Sequence, residues 1–149
     1  MILKRLRDNA REIAMKMKWF TYVKLYGAHI HKDTRISYGA RIDRSKNIYI
    51  GKHTVIASGA IVLAHDYFRG LSMKTTIGER CFIGVNAIIM PGVTLGDECV
   101  VGSAAVVTHD LPPHTMVAGN PAKVIKTDVH VNEHGQLVKT AKKSTENDS

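Results

Sequence analysis

One of the eight histidines in this 149-residue chain lies where a regular sequence repeat is interrupted. His65 opens the insertion His65-Asp66-Tyr67-Phe68, which separates two runs of aliphatic residues spaced six apart. Imidazole titrates near neutral pH, so it can take a proton from a hydroxyl group and return it to a leaving group. Because functional residues concentrate in loops held by a rigid scaffold, we expect His65 to be catalytic. Asp66 is expected either to bind the substrate or to form the turn of the loop, and Tyr67 either to contact the substrate or to pin the loop to the body.

The elements that must position His65 repeat every six residues. Between residues 77 and 111 an aliphatic residue opens each hexad, as in Ile77-Gly78-Glu79-Arg80-Cys81-Phe82. A period of six fits neither a helix nor a single amphipathic strand, but it is typical of a solenoid in which the chain forms a short strand, turns and repeats. Three strands complete one coil, and coils stack at the spacing of paired strands, about 4.8 Å. The pattern therefore predicts three stacked pairs: Ile77 with Leu95, Ile83 with Val101, and Ile89 with Val107.

These hexads and the closing phrase Val117-Ala118-Gly119-Asn120-Pro121-Ala122-Lys123 resemble the hexapeptide-repeat acyltransferases over residues 30–126. The resemblance implies a mainly β fold, a left-handed parallel β-helix. It is closest to the O-acetyltransferases of galactosides, maltose and surface polysaccharides. It also implies acetyl-CoA as co-substrate and a homotrimer with sites at the subunit interfaces. His65 matches the catalytic histidine of the family.

The same resemblance assigns residues that contact the acetyl donor. The matching positions are Val85, Ser103, Thr108, His109, Lys123 and Lys126. Ala104 is added because small residues suit a groove for the thin pantetheine arm. Lys123 and Lys126 can neutralise the nucleotide phosphates, where relatives commonly have arginine, and His109 stands where lysine is usual.

The chain divides into three predicted regions. Residues 1–27 are expected to form an amphipathic N-terminal helix, because apolar residues recur at steps of three and four: Ile2, Leu6, Ala10, Ile13, Met17 and Phe20. That helix either covers the open end of the solenoid or lies, through residues 1–24, on the inner membrane surface. The β-helix domain spans 28–126 with a projecting loop at 64–76. Residues 127–149 are expected to hold a hairpin, with Val129 and Val131 facing Leu137, and a disordered tail.

Composition and residue spacing limit the classes of partner and ligand that this chain is expected to bind. A net charge of +8 suits a polyanionic partner such as coenzyme A. The aromatic–basic pattern of an RNA-binding sheet is missing, so no nucleic-acid partner is expected. His109 and His114 have a spacing that suits zinc, but a third ligand at a fitting offset is missing, so no metal is expected. Cys81 and Cys99 occupy the same repeat position and are expected in the core. Without a secretory signal or an apolar membrane span in the sequence, we expect a cytoplasmic protein.

Three functional hypotheses follow. The first is an acetyl-CoA-dependent O-acetyltransferase acting on a hydroxyl of a sugar or polysaccharide precursor, with His65 as general base and direct transfer without an acyl-enzyme. The second keeps the donor but places the acetyl group on an amino sugar. The third is a non-catalytic solenoid scaffold. For the group that orients His65, a backbone carbonyl and an acid from a distant coil both fit the sequence.

Overall fold

The computed structural model describes residues 1–43 and 46–138. Helix α1 spans Ile2–Phe20 and continues into a π-helical turn at Thr21–Leu25. The strands that follow in the described residues are β1 (His29–Ile30), β2 (Arg35–Ile36), β3 (Arg41–Ile42), β4 (Ile48–Ile50), β5 (Val55–Ile56), β6 (Ile61–Val62), β7 (His65–Asp66), β8 (Leu71–Ser72), β9 (Thr75–Ile77), β10 (Phe82–Ile83), β11 (Ile88–Ile89), β12 (Thr94–Leu95), β13 (Val100–Val101), β14 (Val106–Val107), β15 (Met116–Ala118) and β16 (Lys123–Lys126).

Successive strands of the repeats join three different sheets. The first sheet has the order β1-β4-β9-β12, the second β2-β5-β10-β13-β15-β16, and the third β3-β6-β11-β14. Pairing between coils is parallel, except for β16, which runs antiparallel to β15. The three stacked pairs predicted from the hexads are the observed ones: Ile77 with Leu95, Ile83 with Val101, and Ile89 with Val107. The predicted stacking of three-stranded coils is confirmed.

Each short strand places one residue inside the coil and one outside. The inward residues are large and aliphatic, and Ile56, Ile83 and Ile89 are fully buried. Small residues fill the corners, among them Cys81 and Cys99, whose thiols donate to the carbonyls of Gly96 (3.1 Å) and Pro112 (3.2 Å). The hydrogen bond with Cys99 and burial both raise the pKa of Cys81. Its thiol therefore stays protonated and acts as a small core side chain.

The repeat glycines are required where coils approach closely. A Cβ atom on Gly84 would lie 2.6 Å from the carbonyl oxygen of Val101 and 2.7 Å from the backbone nitrogen of Ser103. Both obstacles are backbone atoms of the next coil, so they cannot rotate away. The glycine at this position lets neighbouring coils stack at hydrogen-bonding distance.

Helix α1 contacts the first coil through a polar and aromatic side. The indole N–H of Trp19 donates to the carbonyl of Ile30 (2.9 Å), and the ammonium of Lys18 donates to the carbonyls of Ser37 and Ala40 (3.1 Å each). Burial lowers the pKa of Lys18. The apolar residues predicted to define the packing face point elsewhere: Ile2, Leu6, Ile13, Met17 and Phe20 are 55–76% exposed. Within the described residues, no helix has the length and apolar character needed to cross a membrane.

The segment after β16 covers the outer side of the second sheet. Val129 and Val131 are buried, and Gly135 lies against Val55 of that sheet. Val131 pairs antiparallel with Leu137 across the turn at His134-Gly135, as predicted, but the pairing is a single bridge without extended strands. Val129 bonds instead to His114, through its N–H (3.0 Å). Residues 139–149, with the tail predicted to be disordered, lie outside the described residues.

Candidate active site

His65 lies at the base of a hairpin that leaves the solenoid after β6. Strand β7 pairs antiparallel with β8, so that His65 is opposite Ser72 and Asp66 is opposite Leu71. The hairpin is fastened where it meets the coil, because the N–H of Met73 donates to the carbonyl of Ala64 (2.7 Å). This attachment holds His65 close to the rigid body of the protein and leaves only the tip of the hairpin projecting.

Asp43 lies directly beside His65, next to both its backbone and its ring. One carboxylate oxygen, Oδ2, accepts hydrogen bonds from the backbone N–H groups of Ala64 (2.7 Å) and His65 (2.9 Å). The same oxygen lies 3.4 Å from Nδ1 of the His65 ring, with side chains 26% and 46% exposed for Asp43 and His65, respectively. Nδ1 of the ring therefore faces the acid, and Nε2 is the ring nitrogen that does not. The acid beside His65 comes from the adjacent coil, since β3 pairs with β6.

A groove of about 840 Å³ opens beside this pair. Ile61 and Ile88 supply an apolar floor from the outer side of the third sheet, and Arg41 stands at its edge. Arg41 takes part in none of the ion pairs found among the described residues. The groove can therefore offer an apolar surface, one cation and the histidine–aspartate pair to a bound molecule. Sequence reasoning missed Arg41 and Asp43.

The two predicted substrate residues both line this groove. Asp66 also forms the turn of the hairpin, since its carboxylate accepts from the N–H of Arg69 (3.1 Å) and lies 3.5 Å from Nε of the same arginine. Tyr67 does not pin the hairpin to the body, because it is 98% exposed. Its ring is free to contact a ligand.

The structure places five of the seven predicted donor residues in two groups. Val85, Ser103 and Ala104 lie in turns between the second and third sheets, where the N–H of Ala104 donates to the carbonyl of Val85 (2.8 Å). Thr108 and His109 directly follow β14, at the carboxyl ends of the strands of the third sheet. Thr108 Oγ1 lies 2.9 Å from His109 Nδ1.

The two lysines of the donor set lie on β16. Lys123 pairs with Ala118 and Lys126 with Met116 of β15. The neighbouring Ala122 donates its N–H to the carbonyl of Val106 (2.9 Å), which ties this end of β16 to the start of β14. None of the seven predicted donor residues is among the residues that line the His65 groove. The structure therefore places all seven outside the His65 groove.

A second group of titratable residues surrounds Glu98. Its carboxylate accepts from Arg80 (2.8 Å) and from the backbone N–H of Val131 (3.0 Å), and Oε2 lies 3.3 Å from His130 Nδ1 and 3.7 Å from His114 Nδ1. Burial opposes ionisation of Glu98, but the bonds from Val131 and Arg80 outweigh it, so the pKa of Glu98 lies below its usual value. Glu98 thus anchors the C-terminal segment to the solenoid.

The ligand atoms of Glu98, His114 and His130 lie within 4.8 Å of one another, a spacing that a metal ion accepts. The groups are already paired, however, because Glu98 is bonded to Arg80 and His114 Nδ1 lies 3.1 Å from the carbonyl of Val129. His109, which the sequence suggested as a companion of His114, bonds to Thr108 instead. The arrangement therefore fits a structural anchor better than a metal centre.

Comparison with known proteins shows which proteins this chain resembles in sequence and in fold. Residues 74–109 match the family described as the hexapeptide repeat of succinyl-transferase. Galactoside O-acetyltransferase of Escherichia coli is 33% identical over 112 residues, which are 68% of this chain and 55% of the relative. Serine acetyltransferase 2 of Arabidopsis thaliana is 33% identical over 109 residues, which are 69% of this chain and 33% of the relative.

A solved hexapeptide-repeat acetyltransferase of Vibrio cholerae has the same fold, with a TM-score of 0.60 at 21% identity over 83% of this chain and 90% of that one. The chain therefore carries the hexapeptide repeat that its hexads indicated, and the relatives and solved structures that it resembles are acetyltransferases. The matches span 55% and 33% of the two curated relatives, less than two thirds of either. Those relatives act, by their names, on different acceptors.

Proposed function

We propose that this chain is an acetyl-CoA-dependent O-acetyltransferase that acts on a hydroxyl group of a sugar or polysaccharide precursor. The observation that carries the proposal is the histidine–aspartate pair at the mouth of an open groove, with Nδ1 of His65 held 3.4 Å from Asp43. Its similarity to galactoside O-acetyltransferase supports a sugar hydroxyl as the acceptor.

In the proposed reaction, Nε2 of His65 takes the proton of the acceptor hydroxyl while the oxygen attacks the carbonyl carbon of the thioester. The tetrahedral intermediate then collapses, the carbon–sulfur bond breaks, and the imidazolium returns its proton to the departing thiolate. The products are an acetyl ester and free coenzyme A. Asp43 stabilises the imidazolium that exists between the two proton transfers. Both substrates meet directly, so the enzyme carries no acetyl group.

The groove supplies features that suit a sugar ring. Ile61 and Ile88 can contact the apolar face of the ring, and the exposed ring of Tyr67 can close over it. Arg41 and Asp66 offer a donor and an acceptor for hydroxyl groups that do not react. Each of these side chains lies in the same groove as His65, and so the acceptor can be held while its reacting hydroxyl faces Nε2.

The donor site is proposed to form between chains of a homotrimer. Three outer positions of the third sheet, Ile61, Ile88 and Val106, are apolar and only half-buried, and Arg41 precedes them in the same row. Packing the Val106 end of this sheet against a neighbouring chain would bury apolar surface there and leave Ile61 and Ile88 to the acceptor groove. It would also bring one group of donor residues opposite the other group of its neighbour. The coil is proposed to wind left-handed, as the family resemblance implies.

The decisive experiment replaces His65 by alanine and uses His134→Ala as the matched control, since His134 is an exposed histidine outside the groove. Acetyl transfer from acetyl-CoA is measured against a panel of sugars, amino sugars and serine. We expect the turnover of His65→Ala to fall by about 10²–10⁴ with donor affinity retained, and the control to keep full activity. Full turnover of His65→Ala would refute the role of His65. A product acetylated on nitrogen would replace the O-transfer assignment, and failure to bind any CoA ester would favour a scaffold.

A further inference from the structure

The large exposed apolar side chains of this chain are concentrated on its N-terminal helix. Within α1 and the π-helical turn they are Ile2, Leu3, Leu6, Ile13, Met17, Phe20 and Leu25, all at least 55% exposed. At 3.6 residues per turn, most of them share one side of the helix. The apolar side of a surface helix usually faces the protein core. Here it faces away from the coil, and so something outside the described chain must cover it.

The helix cannot roll to bury this side against its own coil. Trp19 and Lys18 are bonded to backbone carbonyls of the first coil, and the hydroxyl of Tyr22 accepts from the N–H of Ile42 (3.2 Å). A rotation that turned Met17 inward would break all of these contacts. The outward orientation of the apolar side is therefore fixed by bonds on the opposite side of the helix.

The net charge of the helix indicates which partner covers its apolar side. Residues 2–25 contain seven basic residues and two acidic ones. At 3.6 residues per turn, Arg5, Arg7 and Lys16 stand at the margins of the apolar side, and all three are exposed. A second copy of the same face would bring together two strongly cationic surfaces, which repel each other. An anionic phospholipid bilayer matches both properties, since its acyl chains accept the apolar side and its headgroups attract the lysines and arginines.

We propose that helix α1 holds this protein on the surface of an anionic membrane, with the apolar side of the helix inserted at the headgroup boundary. The site next to it fits this placement. Arg41 and Ile42 line the His65 groove and also line the cavity against Met17 and Tyr22 at the end of the helix. A bilayer contacting the helix therefore lies beside the groove in which the acceptor is proposed to bind.

The test uses the full chain and co-sedimentation with two kinds of vesicle: phosphatidylglycerol mixed equally with phosphatidylcholine, and phosphatidylcholine alone. We expect binding to the anionic vesicles only, and weaker binding as salt is raised. The variant Leu6→Gln/Met17→Gln is expected to lower the partition coefficient at least about tenfold. The matched control, Leu137→Gln/Val138→Gln, removes two apolar side chains of similar exposure from the C-terminal segment and is expected to bind like the wild type.

Equal binding to both kinds of vesicle, or unchanged binding of Leu6→Gln/Met17→Gln, would overturn the proposal. The proposal would also be overturned if the wild-type chain did not bind anionic vesicles and the Leu6→Gln/Met17→Gln variant had a lower molar mass than the wild type in light scattering. In that case a second copy of the chain would cover the apolar side of the helix. The His65→Ala variant is expected to bind vesicles as the wild type does. Membrane binding and acetyl transfer can therefore fail independently.

Discussion

The role of Asp43 can be tested by a change that removes its charge and little else. In Asp43→Asn the amide has nearly the shape of the carboxylate. Both backbone bonds, from Ala64 and His65, reach the same oxygen, Oδ2. An amide oxygen in that place can accept both, so the hairpin is expected to stay attached. What disappears is the negative charge 3.4 Å from Nδ1 of His65.

The size of the effect follows from that distance. Two unit charges 3.4 Å apart interact by about 5 kcal/mol at an effective dielectric constant of 20 and by about 1.2 kcal/mol in bulk water. The side chains of His65 and Asp43 are 46% and 26% exposed, so the true value lies toward the lower limit, at about 1.5–3 kcal/mol. Since each 1.36 kcal/mol corresponds to a factor of ten, we expect kcat to fall about 10- to 150-fold.

The assay is steady-state acetyl transfer with both substrates varied, together with a thermal unfolding curve for each variant. We expect kcat to fall while KM for acetyl-CoA stays within about twofold, because Asp43 stabilises charge that exists only during proton transfer. The decisive comparison is the double variant His65→Ala/Asp43→Asn. If Asp43 acts through His65, the double variant is no slower than His65→Ala alone.

The proposed role of Asp43 is refuted if Asp43→Asn lowers kcat by the same factor in the presence and in the absence of the His65 imidazole. It is also refuted if the loss of rate follows a loss of unfolding temperature. Either result would make Asp43 a support of the hairpin and not a partner of the base.

Two further predictions concern stability. Glu98→Gln is expected to destabilise the fold by about 1.5–3 kcal/mol in urea unfolding, because it removes the charge bonded to Arg80 and the Val131 N–H. The pKa of Glu98 is lowered in the folded state, so its contribution to stability is complete above the ordinary glutamate pKa of about 4.3 and is lost as pH falls through the lowered folded value. Glu98→Gln should therefore flatten the fall in stability over that pH range. An unchanged dependence of stability on acid pH would contradict the role of Glu98 as an anchor of the C-terminal segment. Gly84→Ala is expected to lower the free energy of unfolding by more than about 2 kcal/mol, because its Cβ would lie 2.6 Å from backbone of the next coil. The control Gly70→Ala, with no atom within 4 Å and φ of +64°, should lower it by about 1 kcal/mol. Equal unfolding midpoints for the two alanine variants would show that the coils can separate to admit a side chain.

The hexads predicted the coils correctly because a solenoid is governed by neighbours at fixed sequence distance. Ile83 packs on Val101 for the same reason that Ile77 packs on Leu95. The pairing of Asp43 with His65 follows no such period. It depends on where the hairpin leaves the coil, which the six-residue pattern does not set.

The N-terminal helix shows a different limit of prediction from sequence. Its three-and-four spacing correctly grouped Leu6, Ile13 and Met17 on one side, but grouping does not say what that side faces. The orientation is set by Trp19 and Lys18, whose donors find carbonyls at the end of the first coil. Carbonyl groups left free at a solenoid edge have no signature in the sequence. The Glu98 group was missed for a related reason, since His114 and His130 reach Glu98 from segments outside the repeat.

The outer positions of the three sheets explain why one solenoid can present surfaces to different partners. The first sheet exposes polar or stacked side chains, such as His29 on Tyr49 with ring centroids 4.4 Å apart. The outer side of the second sheet is covered by the chain's own residues 129–138. The third sheet carries a row of half-buried aliphatic residues, Ile61, Ile88 and Val106, which begins at Arg41 and lies beside the His65 groove.

This row and the N-terminal helix are both apolar, but they differ in charge. The aliphatic row has a single cation, Arg41, at one end, so a second copy of the chain meets little electrostatic repulsion and burial of apolar area can drive assembly there. The helix is flanked by lysines and arginines, and a second copy would be repelled. The two surfaces are therefore expected to be covered by different partners, another chain on the third sheet and anionic lipid on the helix. Raising the salt concentration should distinguish them, because screening weakens lipid binding and leaves a contact made by apolar burial intact.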